Sequence, residues 1–71
     1  MRKNLKKARQ KVGITQKQVA EHLKITIRSY QRIESGELLG AIKHWDALED
    51  LFMVPQRELR QETYLAEEKE K

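Results

Sequence analysis

The sequence predicts an all-α fold, and three observations lead to that prediction. Apolar residues recur at the three- and four-residue spacing of an amphipathic helix along most of the chain. Residues that cap helix N-termini precede two of these segments, at Thr15 and at Thr26. Glycines that end helices follow two of them, at Gly13 and at Gly36. We therefore expect the 71 residues to form one small bundle of short helices.

The first helix is expected over residues 3 to 12. Leu5, Ala8 and Val12 form its packing stripe, and basic residues surround that stripe. Gly13 ends the helix, because glycine readily takes the left-handed conformation found after many helix C-termini. This pattern is typical of a helix that packs against others and keeps a cationic outer side.

The second helix has a clear start signal. Thr15 and Gln18 make a Thr-x-x-Gln capping box, in which each side chain satisfies a backbone donor at the helix start. The helix therefore begins near Gln16, and its apolar spacing continues to Leu23. Thr26 then offers the N-cap of a third helix.

The third helix, over residues 27 to 35, has two different sides when its residues are placed at about 100° intervals. Tyr30 and Ile33 fall on the side that packs. Two short helices joined by a tight turn, the second with a basic outward side, predict a helix-turn-helix. The residues of that outward side are Ile27, Arg28, Gln31, Arg32 and Ser35.

A fourth helix is expected over about residues 41 to 52, with Glu49 as its anomaly. Glu49 falls among the apolar positions, where a buried and unpaired carboxylate is costly. Pro55 suits the first turn of a fifth helix whose inward residue is Leu59. The apolar residues expected to be buried on the fourth helix are Ala41, Ile42, Trp45, Leu48 and Phe52.

Charge is distributed unevenly along the chain. Residues 1–35 hold ten basic and two acidic residues, whereas residues 36–71 hold five basic and nine acidic ones. A cation-rich helix-turn-helix beside an acidic remainder fits a protein that binds a phosphate backbone. We expect the folded domain to occupy residues 1–60, and residues 61–71 to form a charged helical tail that frays or contacts a partner subunit.

Several residues that span most of the chain form one further pattern, from Arg9 and Gly13-Ile14-Thr15-Gln16 through Ala20, Glu34 and Gly36 to Phe52 and Val54. This pattern resembles the phage-repressor-like, Cro-like (XRE) helix-turn-helix family over about residues 5 to 59. The resemblance implies a five-helix, lambda-repressor-like domain that binds operator DNA, usually as a homodimer. Lys24 departs from the family, which often has glycine there.

The resemblance also implies roles for single residues. It places base reading on Ile27, Arg28 and Arg32, with Gln31 on the same arc. Arginine can donate two hydrogen bonds to guanine O6 and N7, and isoleucine can meet a thymine methyl group, so we expect guanine and thymine in the half-site. Arg32 has an alternative role as a phosphate clamp.

The helix starts and the resemblance together indicate a set of phosphate contacts and one ion pair. The helix-two N-terminus suits an anion, and Gln16 either anchors a phosphate there, acts as an ordinary cap, or does both. Arg9 is expected to pair with Glu34; the alternative is that both side chains are solvated. The expected phosphate contacts are Gln16, Lys17, Thr26, Ser35 and Lys43.

Two leucines fall in the loop after the third helix, where their apolar side chains need other apolar surface to cover them. Leu38 and Leu39 either form part of a dimer interface or fold back onto the core. Leu51, which lies off the main arc of the fourth helix, is a further candidate for a subunit contact. So are Tyr64 and Leu65 in the tail.

Several classes of function find no support in the sequence. The absence of cysteine excludes a thiol-rich metal site, and His22 and His44 lack both a nucleophile and metal-ligand spacing. We expect no enzyme activity, no metal and no cofactor. The N-terminus lacks the apolar core of a signal peptide, and no apolar run suits a membrane helix, so we expect a cytoplasmic, nucleoid-associated protein.

The expected function is a sequence-specific transcriptional regulator, a repressor of phage or bacterial type, that binds a palindromic operator as a homodimer. The alternative is an antitoxin or a protein-interaction adaptor built on the same domain. A pure adaptor does not require two arginines and an isoleucine on one exposed helix face, whereas an antitoxin that binds its own operator fits both interpretations.

Overall fold

The computed structural model describes residues 1–61 of the chain. Within that range the protein has five helices and no strand, which confirms the expected all-α, five-helix architecture. Tyr64, Leu65 and most of the tail lie outside the described residues. The helices are α1 (Lys3–Val12), α2 (Gln16–Leu23), α3 (Ile27–Ser35), α4 (Ile42–Phe52) and α5 (Gln56–Leu59).

The starts of α2 and α3 are fixed by the predicted caps. The Thr15 hydroxyl oxygen accepts from the Gln18 backbone N–H at 3.1 Å, and the Gln18 side chain accepts from the Thr15 N–H at 2.9 Å. The Thr26 hydroxyl oxygen accepts from the Ser29 N–H at 3.1 Å. Pro55 occupies the N-cap of α5, one residue before the first turn in which it was expected.

Left-handed residues end four of the helices. Gly13 and Gly36 have φ values of +87° and +92°, as their positions predict. Lys24, where the family often has glycine, has a φ of +61° and ends α2. Met53 ends α4 in the same conformation, with a φ of +59°. The side chain of a non-glycine residue crowds the backbone in this conformation, so two helix ends carry local strain.

Trp45 lies at the centre of the core, fully buried, and its indole N–H donates to the Leu39 carbonyl at 2.8 Å. Three residues expected to be buried are exposed instead: Val12, Ala41 and Ile42. Each lies at the end of a helix, beyond the part that packs on the other helices, so helical spacing alone misplaces it. The buried apolar residues are Leu5, Val19, Ala20, Leu23, Tyr30, Ile33, Trp45, Leu48, Phe52 and Leu59.

Glu49 has a local structural role. Its carboxylate accepts from the backbone N–H and from the side-chain amide of Gln56, each at 3.3 Å. Because Gln56 is the first residue of α5, Glu49 satisfies a donor that a helix N-terminus leaves unpaired. The anomalous carboxylate of α4 therefore joins α4 to α5.

Candidate nucleic-acid interface

The outward side of α3 is the candidate reading surface. Ile27, Arg28, Gln31, Arg32 and Ser35 are all exposed there, while Tyr30 and Ile33 point into the core, as expected. The hydrophobic contact of α3 with α2 holds this helix in place. The residues that line a shallow, open cleft along this side of α3 are Arg28, Gln31, Arg32, Ser35 and Glu37.

Glu37 lines this cleft, and it was not selected from the sequence. Its carboxylate lies 3.4 Å from Arg32 Nε, and both side chains are largely exposed. The Ser35 hydroxyl donates to the Arg32 carbonyl at 3.0 Å and accepts from the Glu37 N–H at 3.3 Å. Ser35 therefore shapes the end of α3, and Glu37 restrains one of the two arginines. An acidic residue one position after the glycine cap was the available signal.

Glu34 is the buried anchor of the motif, with 4% of its surface exposed. Arg9 Nε donates to one carboxylate oxygen at 2.8 Å, so the ion pair implied by the resemblance is present. The Tyr30 hydroxyl donates to the same oxygen at 2.8 Å, and the Gln16 amide donates to the other oxygen at 2.8 Å. Donors from α1, α2 and α3 thus meet on one carboxylate.

These contacts change the ionisation of the group. Burial alone would raise the pKa of Glu34, but hydrogen bonds from Arg9, Tyr30 and Gln16 outweigh it and the pKa lies below its usual value. Burial, together with the charge on Glu34, raises the pKa of Tyr30, so its hydroxyl remains a donor. The hydrogen bond to Glu34 raises the pKa of Arg9 against the effect of burial. The pair is therefore fully charged at neutral pH.

Gln16 connects this buried group to the reading surface. It is the first residue of α2 and is partly buried. Its amide nitrogen faces Glu34, and its carbonyl oxygen accepts from the Gln31 amide at 3.2 Å. A second N–H of Gln16 remains for an anion at the helix N-terminus.

The other expected phosphate residues surround α3. Lys17 is exposed in the first turn of α2, and Lys43 is exposed in the first turn of α4. Thr26 uses its hydroxyl within the protein, since it caps α3 and donates to the Ser29 hydroxyl at 3.0 Å. The two lysines are therefore freer to meet phosphate than Thr26 is.

The candidate dimer residues divide into two groups. Leu38 and Leu39 are exposed, Leu39 to 66%, so the alternative in which both fold back onto the core is wrong. Ile42 lies close by in the chain and is 74% exposed. Leu51, in contrast, is partly buried against the core. Leu38, Leu39 and Ile42 are hereafter called the apolar patch.

The chain matches the model of a known protein family. The helix-turn-helix family model matches residues 5–42, which is more than half of the chain. The chain belongs to the Cro-like (XRE) helix-turn-helix family. It is therefore a helix-turn-helix regulator that binds DNA, from a family that is not typically enzymatic. No curated protein and no solved structure gives a significant match.

Residues 1–61 show no feature of a membrane-spanning helix or of a metal site. None of the helices in that range is long and apolar enough to cross a membrane. The same residues contain no cluster of three or more histidine, cysteine or acidic side chains suited to a metal ion.

Proposed function

We propose that this helix-turn-helix regulator is a transcriptional repressor that binds a palindromic operator as a homodimer, acting on the nucleoid in the cytoplasm. The observation that carries the proposal is the exposed side of α3, where Arg28, Gln31 and Arg32 project beside Ile27. These side chains offer the paired donors and the apolar surface that distinguish base pairs in the major groove.

The surroundings of α3 supply the sequence-independent part of binding. Gln16 and Lys17 lie at the N-terminus of α2, and Lys43 lies in the first turn of α4. Cations and free backbone amides at helix N-termini attract phosphate oxygens and fix the position of the reading helix on the duplex. We assign the two lysines and Gln16 to backbone phosphates, and Arg28 and Arg32 to guanines.

The symmetry of the assembly follows from a dimer. Two copies related by a two-fold axis place their α3 helices in successive major grooves about 34–36 Å apart, so the operator is a palindrome with half-sites one helical turn apart. The apolar patch of Leu38, Leu39 and Ile42 is the proposed subunit contact. These three exposed apolar residues lie within five positions of the chain, and exposed apolar surface is typical of an interaction site.

Selection of bound sequences from a random DNA pool tests the proposal. We expect a two-fold-symmetric site that contains guanine and thymine in each half. Affinity for this site should fall steeply as salt rises, because each neutralised phosphate releases counterions. The absence of any preferred sequence would overturn the proposed repressor.

A matched pair of variants distinguishes a base contact from a phosphate contact. Arg28→Ala should relax the preference at one base pair by roughly 1–3 kcal/mol, the usual value of a bidentate contact. Lys17→Ala should weaken binding to every sequence alike and reduce the salt slope by about one unit. Equal effects of both variants on all sequences would remove Arg28 from the base-reading residues.

The second candidate function is an antitoxin or protein adaptor that uses the same domain. The exposed patch of Leu38, Leu39 and Ile42 favours it, because a protein partner would cover that surface as well as a second copy does. Failure of the selection, combined with a monomeric protein in solution, would favour this function over the repressor.

A further inference from the structure

A chain of hydrogen bonds runs from the buried Glu34 carboxylate to the reading surface. Glu34 accepts from Gln16 Nε2 at 2.8 Å, and Gln16 Oε1 accepts from Gln31 Nε2 at 3.2 Å. Arg9 and Tyr30 hold the carboxylate from the other side, at 2.8 Å each. This series of hydrogen bonds therefore starts at a fixed, buried charge and ends at an exposed side chain of α3.

The direction of each amide in this chain follows from chemistry. An ionised carboxylate only accepts hydrogen bonds, so Gln16 must turn its NH2 group toward Glu34. The Gln16 carbonyl oxygen then faces Gln31, and because that oxygen also only accepts, Gln31 must turn its own NH2 group toward Gln16. The depressed pKa of Glu34 keeps the starting charge in place at neutral pH.

The hydrogen bond to Gln16 restricts the partners that Gln31 can bind. One of its two N–H groups is used by Gln16, which leaves its carbonyl oxygen and the other N–H for an outside partner. Adenine presents one donor, N6, beside one acceptor, N7, in the major groove, whereas guanine presents two acceptors there. Adenine matches the remaining groups of Gln31, and guanine does not.

We propose that Gln31 reads an adenine in the operator and that Gln16 is its positioning residue, holding the Gln31 amide in the orientation that this contact needs. The inference rests on the proposed function, because it requires α3 to lie in the major groove. It adds an adenine to each half-site and gives Gln16 a second role besides any phosphate contact. Sequence recognition at Gln31 then depends on a residue of α2.

The test compares binding to operators that differ only at the base pair opposite Gln31. With the unaltered protein we expect adenine to be preferred by about 5- to 150-fold, the range that one bidentate contact provides. Gln31→Ala should abolish the preference. Gln16→Ala should reduce it severalfold although Gln31 is intact, and the two changes should be non-additive when combined.

Lys17→Ala is the matched control, since Lys17 is the next residue of α2 and its side chain is exposed. It should weaken all operators equally and leave the adenine preference unchanged. If Gln16→Ala behaves in the same way as Lys17→Ala, Gln16 contacts only phosphate and the inference is overturned. Circular dichroism and thermal unfolding establish that each variant is folded.

A change of preference provides a readout that loss of folding cannot imitate. Gln31→Glu offers acceptors only, so it breaks the hydrogen bond to Gln16 and should shift the preference from adenine to cytosine, whose N4 group is a donor. A Gln31→Glu protein that still prefers adenine would contradict the assignment. Absence of any selected operator for the unaltered protein would instead contradict the proposed function itself.

Discussion

The guanidinium of Arg2 lies over the indole ring of Trp45, 5.3 Å from the ring centroid. Arg2 Nε donates to the Arg60 carbonyl at 3.1 Å, and one terminal nitrogen donates to the carbonyls of Ile33 and Leu38, the latter at 2.9 Å. The side chain is only 2% exposed. Arg2 therefore joins the N-terminus to the end of α3 and the end of α5, and it is not available to contact DNA.

Loss of Arg2 should destabilise the domain. Arg2→Ala removes the hydrogen bonds to the carbonyls of Ile33, Leu38 and Arg60 together with the cation–π contact, so we expect the free energy of unfolding to fall by about 2–4 kcal/mol. Arg2→Lys should recover little, because one ammonium group cannot reproduce the planar fork. Urea unfolding measures both. Lys7→Ala is the control, since Lys7 is exposed, and a loss equal to that of Lys7→Ala would contradict the role of Arg2.

The Arg9–Glu34 pair should make stability depend on pH. The folded pKa of Glu34 is depressed below its ordinary value of 4.5, so its contribution is complete above that value and is lost as pH falls through the folded pKa. Glu34→Gln should cost roughly 3–5 kcal/mol at pH 7, because Arg9, whose side chain is only 12% exposed, loses its counter-charge. It should also flatten the loss of stability that the unaltered protein shows as pH falls below the ordinary carboxyl pKa of 4.5.

Urea unfolding at several pH values measures this effect. Glu21→Gln is the matched control, because Glu21 is an exposed glutamate of α2, and it should keep the pH dependence of the unaltered protein. If Glu34→Gln retains that dependence as well, other carboxylates are responsible for it.

The parts of the structure that sequence predicts are those fixed by near neighbours. The Thr15–Gln18 box and the Thr26 cap join residues three positions apart, so their spacing is visible in the chain. Tyr30 and Ile33 follow from helical periodicity. The Arg9–Glu34 pair, which is distant in sequence, was predicted because both residues match the family pattern and Glu34 lies close to the buried side of α3.

The missed features depend on how separate helices and loops of the chain meet. Arg2 was counted only as one of the ten basic residues of residues 1–35, because its contacts lie 31 to 58 residues further along the chain. Glu49 had no expected partner because Gln56 reaches it only after the chain turns at Met53. The exposure of Ile42 depends on where α4 meets the core, which spacing within α4 does not specify.

Relief of backbone strain should stabilise the protein. Lys24 and Met53 both hold positive φ angles at helix ends, where a side chain costs about 1–2 kcal/mol relative to glycine. Glycine loses about 0.4–1 kcal/mol through its greater freedom when unfolded. We therefore expect Lys24→Gly and Met53→Gly each to raise the free energy of unfolding by roughly 0.5–1 kcal/mol.

Gly13→Ala gives the opposite change and serves as the control. An added Cβ at Gly13 meets no atom within 4 Å, so any loss reports on the positive φ alone. Thermal unfolding should show a lower melting temperature for Gly13→Ala and a higher one for the two glycine variants. A destabilised Met53→Gly would show that the Met53 side chain itself contributes to folding.

Glu37 should lower the affinity for all DNA and raise the preference for the base pair that Arg32 contacts. Its carboxylate repels phosphates, so Glu37→Gln should tighten binding to all DNA at low salt. The same change frees Arg32, which lies 3.4 Å away, and should reduce the preference at its base pair by at most about fivefold, since exposed ion pairs are worth about 0–1 kcal/mol. Fluorescence anisotropy with matched operators measures both effects. Glu21→Gln, which removes the same charge from α2, should leave the preference unchanged; an equal change in both variants would limit Glu37 to a charge effect.

The apolar patch should govern subunit association. Leu39 and Ile42 are 66% and 74% exposed, and a stable interface buries about 1,200–2,000 Å² in total, so the patch forms the centre of the contact and not its whole area. Leu39→Asp places a charge in that centre and should weaken dimerisation at least about tenfold, since desolvating an unpaired charge costs well over 1.4 kcal/mol. Sedimentation equilibrium of the folded variant measures the change.

Met53→Asp is the matched control, because Met53 is 84% exposed at the opposite end of α4. It should leave the association constant unaltered if the patch is the interface. Monomers from Met53→Asp but not from Leu39→Asp would move the subunit contact to the C-terminal end of α4. The spacing of the two α3 helices on DNA would then be set by the turn between α4 and α5 and not by the loop that follows α3.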